Sequence, residues 1–192
     1  MFPTRFKLGL ADQGRELTDE EFVEAEFEAP YRYERMGGRL VVMSPSGKHH
    51  NRLVWAIVKY LSIYDVASPG TIEMVIQEAW MRTRNGHDRL GDIAVYLVVD
   101  EPQPEAQYDM VPGIIFEVVS EGSEERDYII KRKEYFDLGV REYVIVDSFR
   151  KILTVLTRGR QDYTDRELKP GERYTPAQLP GFALSVEDLP WS

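Results

Sequence analysis

Apolar positions along the chain fall into short runs of strand period and two longer stretches of helical period. The run that anchors the rest is Pro112-Gly113-Ile114-Ile115-Phe116-Glu117-Val118-Val119-Ser120. A Pro-Gly turn precedes a stretch of β-branched and aromatic residues, which predicts a buried strand. Strand side chains alternate, so Ile115, Glu117 and Val119 share one face and Ile114, Phe116 and Val118 the other. Both faces are apolar, the pattern of a sheet covered on both sides. Glu117 breaks that pattern.

Other elements follow in order. Residues 1–16 carry little pattern and read as an N-terminal arm; residues 17–192 read as one domain. Thr18-Asp19-Glu20-Glu21 is a capping-box signature opening a short helix to about Glu26. Tyr31–Glu34 and Arg39–Met43 flank Gly37-Gly38 as a hairpin. A helix is predicted from about His50 to Tyr64 and a strand over Ile72–Met81, with a turn at Asn85-Gly86. Gly91-Asp92 reads as a turn introducing a strand over Ile93–Val99, and residues 100–111 as a surface loop. A helix over Asp127–Leu138 stops at Gly139. Strands over Glu142–Asp147 and Ile152–Thr157 close the sheet, leaving an irregular tail with short ribbons.

Composition narrows the class. The chain has 192 residues, 43% hydrophobic, enough for one domain with a sizeable core. It has no cysteine, which excludes disulfides and thiolate metal sites. No apolar run reaches the roughly 18 residues of a membrane span, and the N-terminus lacks a secretory core. A soluble, cytoplasmic protein is expected. The net charge of −9 and pI near 5.0 disfavour broad non-specific nucleic-acid binding, while leaving room for a local basic groove.

Three residues carry candidate chemistry. A lone carboxylate on an apolar strand is costly unless paired, protonated or metal-bound. Glu117 is therefore either a strand-end Glu reaching solvent or an Arg, or a ligand or catalytic group. Asp92 is either turn chemistry or, if the two strands are neighbours, a second carboxylate converging on the same point. Oxygen donors without Cys favour Mg²⁺ or Mn²⁺. On a helical wheel, Tyr128, Ile129, Arg132, Tyr135, Phe136 and Leu138 cover one half, and Lys131 lies within it. Lys133, Glu134 and Asp137 fall on the solvent side. Lys131 either points at the sheet or snorkels to pair with Asp127. Arg132, Lys133, Arg150, Lys151, Arg158 and Arg160 are scattered cations, either phosphate contacts or solvated surface.

Asp92, Glu117-Val118-Val119 and a helical Lys131 together resemble the PD-(D/E)XK nuclease pattern as modified in the Uma-two endonuclease family. The likeness extends to Tyr33-Glu34-Arg35-Met36-Gly37-Gly38-Arg39-Leu40, Val41-Val42-Met43-Ser44-Pro45 with His50, and Asp127-Tyr128-Ile129-Ile130-Lys131-Arg132-Lys133-Glu134-Tyr135. Gly139-Val140-Arg141-Glu142-Tyr143 and Leu179-Pro180-Gly181-Phe182 also fit. Gly91 stands where the pattern has Pro. Val119 stands where it has Lys, and the resemblance implies that Lys131 supplies that charge from the helix. What it implies for the fold is an α/β, restriction-endonuclease-like mixed sheet flanked by helices.

The implied function is Mg²⁺- or Mn²⁺-dependent hydrolysis of phosphodiesters in DNA. Asp92, Glu117 and the Val118 carbonyl would be ligands, and Lys131 a positioned cation. Glu34 either completes the shell or is a solvated hairpin Glu. His50 either touches phosphate or carries a proton, or merely caps or decorates a helix. Tyr135 is assigned to packing and orientation. Expected partners are DNA and a second copy of the chain in a homodimer. The rival reading is a non-catalytic scaffold or oligomerisation protein on the same fold; a further rival is hydrolysis of another phosphoester.

Overall fold

A computed structural model describes residues 6–83 and 87–191. Its elements, in order, are β1 (Lys7–Leu8), α1 (Asp19–Glu24), β2 (Glu26–Phe27), β3 (Arg32–Met36), β4 (Arg39–Met43), α2 (Lys48–Ala67), β5 (Ile72–Arg82) and β6 (Asp88–Leu97). They continue as β7 (Ile114–Val118), α3 (Lys131–Leu138), β8 (Glu142–Asp147), β9 (Ile152–Arg158), β10 (Tyr163–Leu168), β11 (Arg173–Tyr174) and β12 (Leu184–Ser185). The turn expected at Asn85-Gly86 lies outside the described residues.

Eight strands form one mixed sheet, ordered β10-β9-β8-β7-β6-β3-β4 with β5 also on β6. Strand β7 lies at its centre, parallel to β8 and antiparallel to β6, pairing Ile93 with Phe116 and Val95 with Ile114. As the two-sided apolarity predicts, both faces are covered. Ile114, Phe116 and Val118 pack with Leu53, Ile57 and Leu61 of α2 and with Leu179, Phe182 and Leu184 of the tail. Ile115 and Val119 pack with Tyr135 and Leu138 of α3.

The local signals have visible causes. Thr18 Oγ1 accepts the Glu21 N–H at 3.2 Å while the Glu21 carboxylate accepts the Thr18 N–H at 2.8 Å, the reciprocal cap that opens α1. Gly37 and Gly38 take φ of 55° and 78°, the left-handed pair that a tight hairpin requires. Gly139 ends α3 at φ 110°, its N–H donating to the Tyr135 and Phe136 carbonyls. Gly139→Ala is expected to cost about 1–2 kcal/mol, because an L side chain at that φ meets the neighbouring carbonyl. Urea unfolding would show a lower midpoint at unchanged slope.

Several expectations change. Gly91 and Asp92 are not a turn but lie inside β6, with Gly91 paired to Ala79. The chain after Arg158 is not irregular throughout: β10 adds a full edge strand on β9. Its sequence, Tyr163-Thr-Asp-Arg-Glu-Leu168, buries only its two ends, so the apolar alternation of a strand is missing. The stretch read as an arm is described from Phe6 onward, where Leu8 is fully buried and β1 pairs with β2.

Candidate active site

The site lies where β6 changes partner. Strand β5 runs along one edge of β6, while the other edge pairs with β3 at Asp88 and with β7 from Ile93 to Val95. Between those contacts the edge is open, and side-chain carboxylates fill the gap. Glu34 accepts the Leu90 N–H at 3.1 Å, and Asp92 Oδ2 accepts the Val118 N–H at 2.8 Å. Buried N–H groups need such partners.

The backbone is irregular at the same place. The β5–β6 ladder lapses at Glu78, between the pairs Gln77–Ile93 and Ala79–Gly91, and Glu78 takes φ 50°. Before it Met74 and Ile76 face the α3 side; after it Ala79 and Met81 do. Face alternation therefore slips by one residue. A Cβ on Gly91 would sit 2.6 Å from the Met81 terminal methyl, so the small residue makes room for that side chain, with Glu117 Oε1 in ordinary contact at 3.7 Å.

The charges form one buried cluster. Lys131 Nζ is 2.8 Å from Glu117 Oε1, 3.6 Å from Asp127 Oδ1 and 3.9 Å from Glu34 Oε1. Tyr135 Oη donates to Glu117 Oε1 at 2.6 Å. His50 Nε2 lies 2.9 Å from Asp92 Oδ2, and Arg32 donates to Asp92 Oδ1 at 3.3 Å. Arg89, fully buried, donates to Glu34 at 2.9 Å and to both oxygens of Glu134 at 2.5 and 2.8 Å.

Burial pushes the Glu117 carboxyl up to about 7; Lys131 opposes the shift, while the charges of Asp92 and Asp127 add to it. Burial would lower Lys131, yet the surrounding carboxylates, Glu117 first, hold it above its ordinary value. Burial would raise Asp92, but the hydrogen bond and charge of His50, with Lys131 and the Val118 N–H, keep it low. Glu34 is likewise held low against burial, by Lys131 and Arg89. His50 is raised by Asp92, although its burial works the other way.

Asp92, Glu117, Glu34, His50, Lys131 and Val118 thus line one pocket, together with Arg32, Asp127 and Arg126. Glu34 is 1% exposed and is not a solvated hairpin residue. Lys131 is 2% exposed and does not snorkel. The helical wheel is corrected on two counts. Ile129 is 65% exposed, and Glu134, placed on the solvent side, is buried. A π-helical turn over Arg126–Ile130 precedes α3, and the inward stripe is Asp127, Lys131, Glu134, Tyr135 and Leu138. Polar residues face inward because polar partners wait there.

Sequence reasoning missed Arg32, Arg89 and the buried state of Asp127. Arg89 stood beside the apolar run of β6, but strict alternation places it on the opposite face from Asp92. Only the slip at Glu78 brings both to the α3 side. Two of the scattered cations are paired at the surface, Arg132 with Asp162 and Asp165 and Arg150 with Glu167, and Arg158 donates to the Phe136 carbonyl.

Among the described residues no group of three His, Asp or Glu side chains is already arranged as a metal cage. The donor set nonetheless suits a hard cation. It offers two carboxylates, Asp92 and Glu117, and a neighbouring carbonyl at Val118, while the buried Asp127 Oδ1, which has no hydrogen-bond partner, lines the same pocket.

A mixed sheet with helices on both faces and acids at the fork of its central strands defines the restriction-endonuclease-like class. The chain belongs to the Uma2 family, described as "Putative restriction endonuclease", whose model matches residues 19–187. A crystal structure of "a putative nuclease belonging to DUF820" from Anabaena variabilis superposes with a TM-score of 0.75 at 16% identity, covering 90% of this chain and 97% of that one. At that identity the likeness is one of fold. No curated protein gives a significant match. Among the described residues no helix is long and apolar enough to cross a membrane.

Proposed function

We propose that this chain is a metal-dependent endonuclease that hydrolyses phosphodiester bonds in DNA. The observation that carries the reading is the convergence of Asp92 and Glu117, from adjacent antiparallel strands, with a fully buried Lys131. A buried acid–base cluster at a cleft is a costly arrangement that function explains better than stability does. Asp92, Glu117 and the Val118 carbonyl would hold Mg²⁺ or Mn²⁺. When bound there, the ion supplies Lewis-acid stabilisation of charge on a phosphoryl oxygen.

The protein's own groups do the rest. Lys131, held by Glu117 and Asp127, presents a preorganised ammonium to the charge that develops as water attacks phosphorus. A new P–O bond forms from water, which gives up a proton to solvent, one ester P–O bond breaks, and the leaving alkoxide oxygen takes a proton from solvent. His50 keeps Asp92 ionised, and Arg32 helps orient it. Glu34, anchored by Arg89 and the Leu90 N–H, adds negative charge behind Lys131. Arg32 and Arg126 also line an open cleft of about 610 Å³ that shares His50 and Ser120 with the site and gives a phosphate chain its approach.

Cleavage of single- and double-stranded DNA in Mg²⁺, Mn²⁺ or EDTA tests the reading. Activity is expected with metal, and Asp92→Asn is expected to lose it. Cleavage that persists in EDTA, or is unchanged in Asp92→Asn, overturns the mechanism. One observation favours a non-catalytic scaffold instead: each acid of the site already faces a cation, and only about 10 Å³ of space remains between them. Failure of wild-type protein to bind Mn²⁺ would decide for the scaffold.

A further inference from the structure

Asp127 is a buried carboxylate that the nuclease reading uses only as a partner of Lys131 and leaves out of the metal's ligands. It sits 2% exposed at the head of the π-helical turn before α3. One oxygen is fixed: Oδ2 accepts the Ser123 hydroxyl at 2.5 Å, and Ser123 Oγ in turn accepts the Ser120 N–H at 3.0 Å. The other, Oδ1, has no hydrogen bond and points into the site, 3.6 Å from Lys131 Nζ and 3.6 Å from Arg126 Nε. The turn that leaves β7 thus clamps a carboxylate beside the lysine and leaves its free oxygen facing the ammonium.

A cation bound by Glu117 would compete with Lys131 for the same carboxylate. The ammonium lies 2.8 Å from the same Oε1 atom that also accepts Tyr135. A metal ion on Glu117 would draw on the charge that now holds the ammonium and so weaken the Lys131–Glu117 pair. Asp127 lies one helical turn before Lys131, and a rotamer change of the long side chain would close the remaining distance.

We propose that Asp127 is a positioning residue, a second station that receives the Lys131 ammonium when Glu117 engages a metal ion. It rests on the metal-nuclease reading, and it makes Ser120 and Ser123 part of the device because they hold the station still. Asp127 then acts on metal affinity through Lys131, not as a ligand and not through bulk charge.

A double-mutant cycle on Mn²⁺ affinity, read by calorimetry on the full chain, separates these possibilities. Asp127→Asn alone is expected to weaken Mn²⁺ binding about 10–100-fold, the range typical of residues that support a metal site without touching the ion. In a Lys131→Met background the same substitution is expected to change affinity by less than about twofold, because no ammonium remains to be rehoused. Ser123→Ala, which keeps every charge, is expected to give a smaller loss of the same sign, and it serves if Asp127→Asn folds poorly. Equal weakening by Asp127→Asn in both backgrounds overturns the inference in favour of direct ligation or bulk charge. Unchanged affinity in Asp127→Asn and Ser123→Ala overturns it while leaving the nuclease reading intact. No Mn²⁺ binding by the wild type overturns both.

Discussion

Lys131→Met is expected to reduce DNA cleavage by about 10²–10³, the usual loss when one preorganised charge is removed from a transition state. It is also expected to destabilise the fold by about 3–5 kcal/mol near neutral pH, because it leaves Glu117, Asp127 and Glu34 buried without their shared cation. Its neighbour Lys133 is exposed, and Lys133→Ala should leave both chemistry and stability nearly unchanged. Equal loss of cleavage in the two variants would mean that the helix merely holds DNA.

The pH dependence of the Lys131→Met defect has a definite sign. Glu117 titrates at about 7 when folded against an ordinary 4.5, so the folded state binds the extra proton between those values. The contribution of this group is therefore most favourable below about pH 4.5 and is lost as pH rises through about 7. Without Lys131 the carboxyl is pushed higher still. The gap between wild type and Lys131→Met, measured by urea unfolding, should be larger at about pH 8 than at about pH 5. A gap that widens on acidification would show that Lys131 does not carry Glu117.

The second large effect belongs to Arg89. Arg89→Met is expected to cost about 3–5 kcal/mol, since it strands Glu34 and Glu134 in the interior. Adding Glu134→Gln should recover part of the loss by removing one of the two orphaned charges. If Glu34 depends on Arg89 for its place, cleavage should fall in both variants, whereas a purely structural Arg89 would let activity return with stability. Thermal unfolding and cleavage measured together on the two proteins decide this.

The sequence by itself determined the central strand and its neighbours. The apolarity of residues 114–119 on both faces requires a covered sheet, and that pattern places Glu117 in the interior whatever packs around it. The capping box at Thr18, the paired glycines of the β3–β4 hairpin and Gly139 at the end of α3 are local signals with local causes, legible without tertiary contacts. Asp92 and Lys131 were legible as candidates from residue type and order.

What surrounds them was not. The expectation of a solvent-facing Glu134 and an inward Ile129 came from apolarity alone, which holds only while the interior is apolar. Here Arg89 offers Glu134 two charge-assisted bonds, and a π turn precedes the helix. Strict alternation along β6 likewise separates Arg89 from Asp92, and the slip opposite Glu78 reunites them. Edge strand β10 escaped because an edge needs few buried residues. Local periodicity reports which face of an element meets the core, but the charges a buried side chain will meet come from strands and helices distant in the chain. Pairing between them depends on a few ångströms of geometry, and only the folded arrangement of β3, β6, β7 and α3 supplies it.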